Sequence, residues 1–226
     1  MDMLPLWISL KTSLSATFLA FVLGVTAAKL MSVYRGRLKS VLDGVFILPL
    51  VLPPTVVGFL LLVLFGRHGP LGKVLTALFS TTVIFSWSAT VIASTVVAFP
   101  LMYRTARGAF EQVDPHMLDA ARTMGIPESS IFTRITMPLA WPGIAAGTIL
   151  AFARALGEFG ATLMLAGNIP GKTQTIPLTI FFLVESGQRD KAALWVLIII
   201  VISLAAITGL HYWTSHQIPA GGQPER

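Results

Sequence analysis

The chain has no cysteine. That excludes a disulfide scaffold, a thiolate metal site and a cysteine nucleophile. Charge is scarce as well: 12% of the 226 residues are Asp, Glu, Lys or Arg, where a soluble domain carries roughly 25%. There is no H-E-x-x-H and no G-x-S-x-G, no candidate span carries paired carboxylates, and His68, His116, His211 and His216 lack metal-ligand spacing. Enzymatic chemistry would need a site assembled from distant residues. The net charge is +6, but no basic run is interleaved with aromatics, so nucleic acid is not an expected partner. No internal repeat is visible. What remains is a chain 54% hydrophobic, with mean hydropathy +0.78. That balance predicts a membrane-embedded helical bundle.

A spanning helix needs ~20 mainly apolar residues. Stretches near 7–30, 44–66, 80–103, 138–165 and 192–213 meet this. They predict one transmembrane domain over 1–214, followed by a polar tail over 215–226. Asp2, a late Lys11 and the lack of an A-x-A site before Lys29 make the first stretch a poor signal peptide. Lys29, Arg35, Arg37 and Lys39 follow the first span, and Arg104, Arg107, Arg122 and Arg134 follow the third. Together they outnumber Arg67, Lys73, Lys172, Arg189 and Lys191 in the opposite loops. The positive-inside rule therefore predicts an external N-terminus and a cytoplasmic C-terminus. The run TIPLTIFFLVES, within 175–187, is apolar but too short to cross, so a re-entrant or interfacial segment is expected on the outer side.

Several stretches carry more than hydrophobicity. AGNIPGKT, 166–173, imitates the end of a phosphate-binding loop. Such a loop works between a buried strand and a helix, and this one follows a membrane helix on the predicted outer face. It reads as a Gly/Pro turn. Pro49, Pro53 and Pro54 lie inside the second span, beside Thr55. Each proline removes a backbone donor and clashes with the preceding turn, so the helix must bend or break. Arg154 and Glu158 stand four apart in the outer half of the fourth span, where charges face a cavity or each other. In 114–138, Asp114 is a helix cap and Pro115 suits its first position. Leu118, Ala121 and Met124 recur at helical spacing, and Gly125 closes the helix in a left-handed conformation. A second short helix starts at Glu128 and is expected to stop before Pro138. Small side chains at Ala120 and Ala121 would let a partner backbone approach, and the same amphipathic helix would also suit the bilayer surface.

Asp119-Ala120-Ala121, then Gly125 after three intervening residues, then Ile135-x-Met137-Pro138 after nine more, resemble the EAA loop of ABC importer permeases. The departures from that pattern are Asp119 for Glu and Met137 for Leu. ILPLVLPPTVVGFLLL (47–62) and FARALGEFGATLMLAGNIPGKTQTIPL (152–178) are similar to the molybdate/sulfate/tungstate group of these permeases, most of all its molybdate branch. The resemblance covers residues 10–212. It implies an all-α integral membrane protein: a type I ABC importer permease bundle with about five spans, a cytoplasmic coupling helix and a short outer segment. It also implies a homodimer in the cell's inner (cytoplasmic) membrane, with the pathway at its interface. Two ATPase subunits would dock inside and an oxyanion-binding protein outside. This chain would then be a non-catalytic transport subunit with no cofactor. By the resemblance, Leu118, Asp119, Ala120, Ala121, Arg122, Met124, Gly125, Ile135 and Pro138 would seat the ATPase. Pro49, Pro53, Pro54, Thr55, Arg154 and Glu158 are the pathway or gate candidates. Molybdate is the expected cargo, with sulfate or tungstate as alternatives. An ATP-independent secondary transporter is the alternative of a different class. It would ordinarily show inverted repeats and intramembrane acids, and Glu158 is the only deep acid here.

Overall fold

The computed structural model describes residues 2–79 and 81–215, and those residues form helices and connecting loops. In chain order the helices are α1 (Leu4–Val33), α2 (Lys39–Val51), α3 (Pro54–Phe65), α4 (Pro70–Phe79), α5 (Trp87–Glu111), α6 (Pro115–Thr123), α7 (Glu128–Ile131), α8 (Met137–Leu156), α9 (Gly160–Ala166), α10 (Ile176–Glu185) and α11 (Arg189–Ser215). α1, α5, α8 with its lead-in, and α11 are each long and apolar enough to cross a bilayer, and α2 with α3 makes a fifth, bent candidate. From residue 216 onward the polar tail lies outside the described residues.

The core is built on α5, the most buried of these spans. α1 runs parallel to it: Trp87 Nε1 donates to Thr12 Oγ1 at 3.0 Å near both starts, and Gly24 lies against Met102 further along. α8 runs antiparallel, with Gly147 opposite Thr105 and Gly143 opposite Ala109. Small residues make these approaches possible. Ala16, Ala20 and Ala28 of α1 meet Ala98, Ala106 and Ala109 of α5 and Ala140, Ala151 and Ala155 of α8 in one buried cluster. A Cβ added at Gly24 would sit 2.8 Å from Met102 Cγ. Lipid tails are as apolar as these side chains, so close backbone packing and interhelical hydrogen bonds carry the association. Thr12 and Thr90 supply such a bond at 3.1 Å.

The third span departs from its expected bounds. The expected span begins near 80, and Ser80 lies outside the described residues. The helix begins at Trp87, capped by the Ser86 side chain, and continues past Tyr103 to Glu111. It runs past the exposed Arg104 and on through Arg107, which is paired: its guanidinium contacts Asp43 of α2 and bonds Glu111 at 2.7 Å, while Tyr103 donates to Asp43. A charge-free criterion cannot see such partners.

α10 does not cross. The Ile176 amide donates to Ser9 Oγ at 2.7 Å, one to two turns into α1. Ser186, just past the other end of α10, shares a cleft with Asp2 and Pro5. The segment thus dips in and returns to the end of the bundle where it entered. The opposite end, called the basic end below, carries Lys29, Arg122 and Arg134 with α6 and α7.

Candidate functional site

At the basic end α6 is defined by its caps. Asp114 Oδ1 accepts the His116 amide at 2.9 Å, and Pro115 occupies the first turn. At the other terminus Gly125 takes φ +74°. Its amide donates to Arg122 O at 2.9 Å, and the Ile126 amide reaches back to Ala121 O at 3.2 Å. These two bonds are the Schellman closure, which needs a left-handed residue. No atom lies within 4 Å of a Cβ added at Gly125, so the glycine answers a backbone demand and not a crowded one.

Arg122 then clasps the two short helices together. Its Nη1 bonds Asp119 Oδ1 at 2.7 Å within α6, and its Nε and Nη2 take both oxygens of Glu128 at 2.6 and 3.4 Å on α7. The carboxylates of Glu128 and Asp119 hold the guanidinium's pKa above its usual value. This role of Glu128 is not legible in the sequence; an Arg–Glu spacing of six across a glycine break belongs to no helical period.

The two alanines divide. Ala121 is 4% exposed, buried against its own protein, while Ala120 faces out. Only Ala120 therefore offers a small surface to a partner. Asp119, Arg122 and Met124 are exposed beside it, Leu118 packs on the bundle core, and Ile135 is half-buried.

The second short helix does not stop before Pro138. It runs through a π-helical turn, Phe132–Thr136, straight into α8. Met137 stays helical ahead of the proline, and its amide bonds Phe132 O five residues back. The wider turn takes up the register that a proline disrupts. Phe132 in this turn also receives Lys29 Nζ over its ring at 3.6 Å and touches Phe110 at 5.8 Å between centroids. The loop is thereby tied to the ends of α1 and α5.

The remaining candidates gather elsewhere. α2 and α3 meet at a 114° bend at Leu52–Pro53. Pro49 lies inside α2, one turn before the break, and Pro54 and Thr55 open α3. A second break, Gly157–Phe159, separates α8 from α9. The two breaks abut: a Cβ on Gly160 would stand 3.1 Å from Pro54 Cβ and 3.3 Å from the Thr55 amide. Gly58 lies as closely on Ala161. Arg154 Nη1 pairs with Glu158 Oε2 at 2.9 Å, and the carboxylate is 2% exposed. Its other oxygen accepts the Ala161 amide at 2.7 Å and so satisfies the start of α9. A negative group is favourable there.

The residues of AGNIPGKT are turned on themselves. The amides of Lys172, Thr173 and Gln174 all donate to Ile169 O, and Thr173 Oγ1 accepts from the Ile169 amide at 3.0 Å. Those amides are not presented to a phosphate.

A helical bundle with two facing broken spans, a re-entrant segment at one end and a capped, clasped helix pair at the other has the fold of a type I ABC importer permease. Solved structures of that fold superpose on it. One is a bacterial ABC transporter involved in import of the acidic polysaccharide alginate, with TM-score 0.75, 16% identity, and coverage of 96% of this chain and 80% of that one. Another is a bacterial alginate ABC transporter in complex with an alginate pentasaccharide-bound periplasmic protein, with TM-score 0.72, 18% identity, and coverage of 91% and 75%. Residues 20–212 match the family of binding-protein-dependent transport system inner membrane components, and the chain belongs to it. It is similar to the molybdenum transport system permease protein ModB of Escherichia coli K12, 46% identical over 89% of this chain and 87% of that protein. It is also similar to ModB of Haemophilus influenzae, 40% identical over 96% and 95%.

Proposed function

We propose that this chain is the membrane-spanning subunit of an ATP-driven molybdate importer. It acts as one half of a homodimer with the pathway between the two copies. The closed, clasped α6 at the basic end carries the reading. Its geometry is set by Asp114, Gly125 and Arg122, and it presents Ala120, Asp119 and Met124 outward as a rigid knob. A separate ATPase subunit seats on that knob, which places the basic end in the cytoplasm and the N-terminus outside. An oxyanion-binding protein docks at the opposite end. Closure of two ATPases on ATP drives the knobs together. The Lys29–Phe132–Phe110 contacts pass the movement to α1 and α5, and the abutting breaks near Pro54 and Gly160 open the outer side. Hydrolysis resets the complex. The chain itself carries out no hydrolysis. The Arg154–Glu158 pair is internally neutral and holds the break in α8 and α9; it is not an anion site.

The two ModB relatives described above are molybdenum transport permeases, which favours molybdate over sulfate. The test is ATP hydrolysis by the reconstituted complex with binding protein loaded in turn with molybdate, tungstate or sulfate. Stimulation by molybdate and tungstate but not sulfate is expected. Stimulation by sulfate alone would overturn the cargo and leave the mechanism standing.

A further inference from the structure

Three arginines lie along the path of α5 and α8, and the structure treats them differently. Arg107 is held by Asp43, Tyr103 and Glu111, and Arg154 is held by Glu158. Arg104, one turn before Arg107, is exposed and makes no hydrogen bond or ion pair among the described residues. It stands seven residues short of the end of α5 at Glu111, which is ~10 Å at 1.5 Å per residue. An unpaired guanidinium at that depth is costly unless it faces water or a ligand.

What it faces is a cleft of about 600 Å³ between α5, the start of α6 and the first turns of α8. Arg104, Thr105, Gly108, Gln112, Pro142 and Gly143 are among its lining residues. The volume equals roughly twenty waters at ~30 Å³ each, enough for a tetrahedral oxyanion with part of its hydration shell. Its walls combine these polar and small groups with apolar ones, Val113, Met117 and Leu139. The cleft between α1 and α5 at the other end is instead lined by Leu14, Phe18, Leu19, Val91 and Ile92 beside two serines and Trp87, a surface suited to lipid. The one acid in the cleft, Asp114, is turned to its own helix, where it accepts the His116 amide.

We infer that Arg104 is a contact for the transported oxyanion in the inner half of the pathway, a role that rests on the importer reading above. The group it takes is a tetrahedral, multiply charged oxyanion. A lipid phosphate offers the same chemistry, and the test separates the two. A single exposed arginine without further buried donors binds weakly, as a transit site must if its ion is to leave. It also explains why this arginine has no protein carboxylate beside it: a permanent partner would compete with the cargo.

The test uses the full complex of permease, ATPase and binding protein in liposomes. Arg104→Ala and Arg104→Glu are expected to lower molybdate uptake by roughly tenfold or more, the scale of a lost charge-assisted bond, while Arg104→Lys keeps most of it. The chain lacks cysteine, so Arg104→Cys gives a single reactive thiol. A cationic thiol reagent attached there should restore uptake and an anionic one should not, and molybdate on the inner side should slow the labelling. Wild-type-like uptake by Arg104→Glu would overturn the inference. So would a defect that appears only in vesicles containing anionic phospholipid, with labelling insensitive to molybdate; that outcome assigns Arg104 to lipid. Absence of uptake by the unmodified complex would instead sink the importer reading itself.

Discussion

Replacing Gly125 separates a backbone requirement from a contact. The residue sits at φ +74° with nothing within 4 Å of a built Cβ. An alanine there bears the left-handed penalty of about 1–2 kcal/mol, and a leucine bears the same penalty because nothing crowds it. Asparagine visits this region more readily and should cost less. Proline is held near φ −65° and also forfeits the amide bond to Arg122 O at 2.9 Å, adding about 1 kcal/mol. If α6 seats the ATPase only when closed, apparent affinity falls with the closed fraction. The expected weakening is up to about thirtyfold for Ala and Leu, less for Asn, and greater for Pro than for Ala. The assay is titration of the ATPase subunit onto permease in nanodiscs, read by fluorescence anisotropy. A Leu variant far worse than Ala would refute the reasoning, because the defect would then follow side-chain size, as expected of a docked surface. Wild-type binding by Gly125→Pro would refute the docking role outright.

Arg154→Met should destabilise the protein by on the order of 3 kcal/mol, the low end for breaking a buried pair, since Arg154 keeps 28% of its side chain exposed while Glu158 is buried. Adding Glu158→Gln should recover much of the loss in detergent thermal melts, and equal melting of single and double variants would contradict the pairing. Gly58→Val should cost about 1–3 kcal/mol by overpacking, because even a Cβ would lie 2.8 Å from Ala161 Cα; an unchanged melting temperature would show that the two breaks do not abut. Glu128→Gln should leave the melting temperature nearly unchanged, because the pair is exposed. It should nevertheless lower transport-coupled ATP hydrolysis by loosening α6 from α7, and full coupling would remove Arg122 as a clasp. Gly171→Cys in intact cells should react with an impermeant maleimide, and protection until lysis would invert the topology.

The features legible in the sequence were those with local causes. The caps of α6 follow from Asp114, Pro115 and Gly125, each acting on its own backbone. The break in the second span follows from prolines that cannot donate. The short apolar run of α10 could not cross on length alone. What escaped depended on partners distant in sequence. Tyr103 and Arg107 extend α5 because Asp43 of α2 meets them, 60 and 64 residues away. The π-turn ahead of Pro138 replaced the expected helix end, since Phe132 finds Lys29 and Phe110 to pack on. The abutment of Pro54 and Gly160 needs two broken helices brought together, which neither stretch reveals by itself. Ala121 reads as a contact surface from its size and proves to be interior from its burial.

The most direct test of the whole account is uptake of radioactive molybdate into liposomes holding the permease, with binding protein outside and ATP inside, compared with and without the ATPase subunit. Uptake that needs both ATP and the ATPase, and that disappears with Gly125→Pro, is the predicted result. Uptake of equal rate by the permease alone would contradict it and make this chain a transporter that runs without ATP.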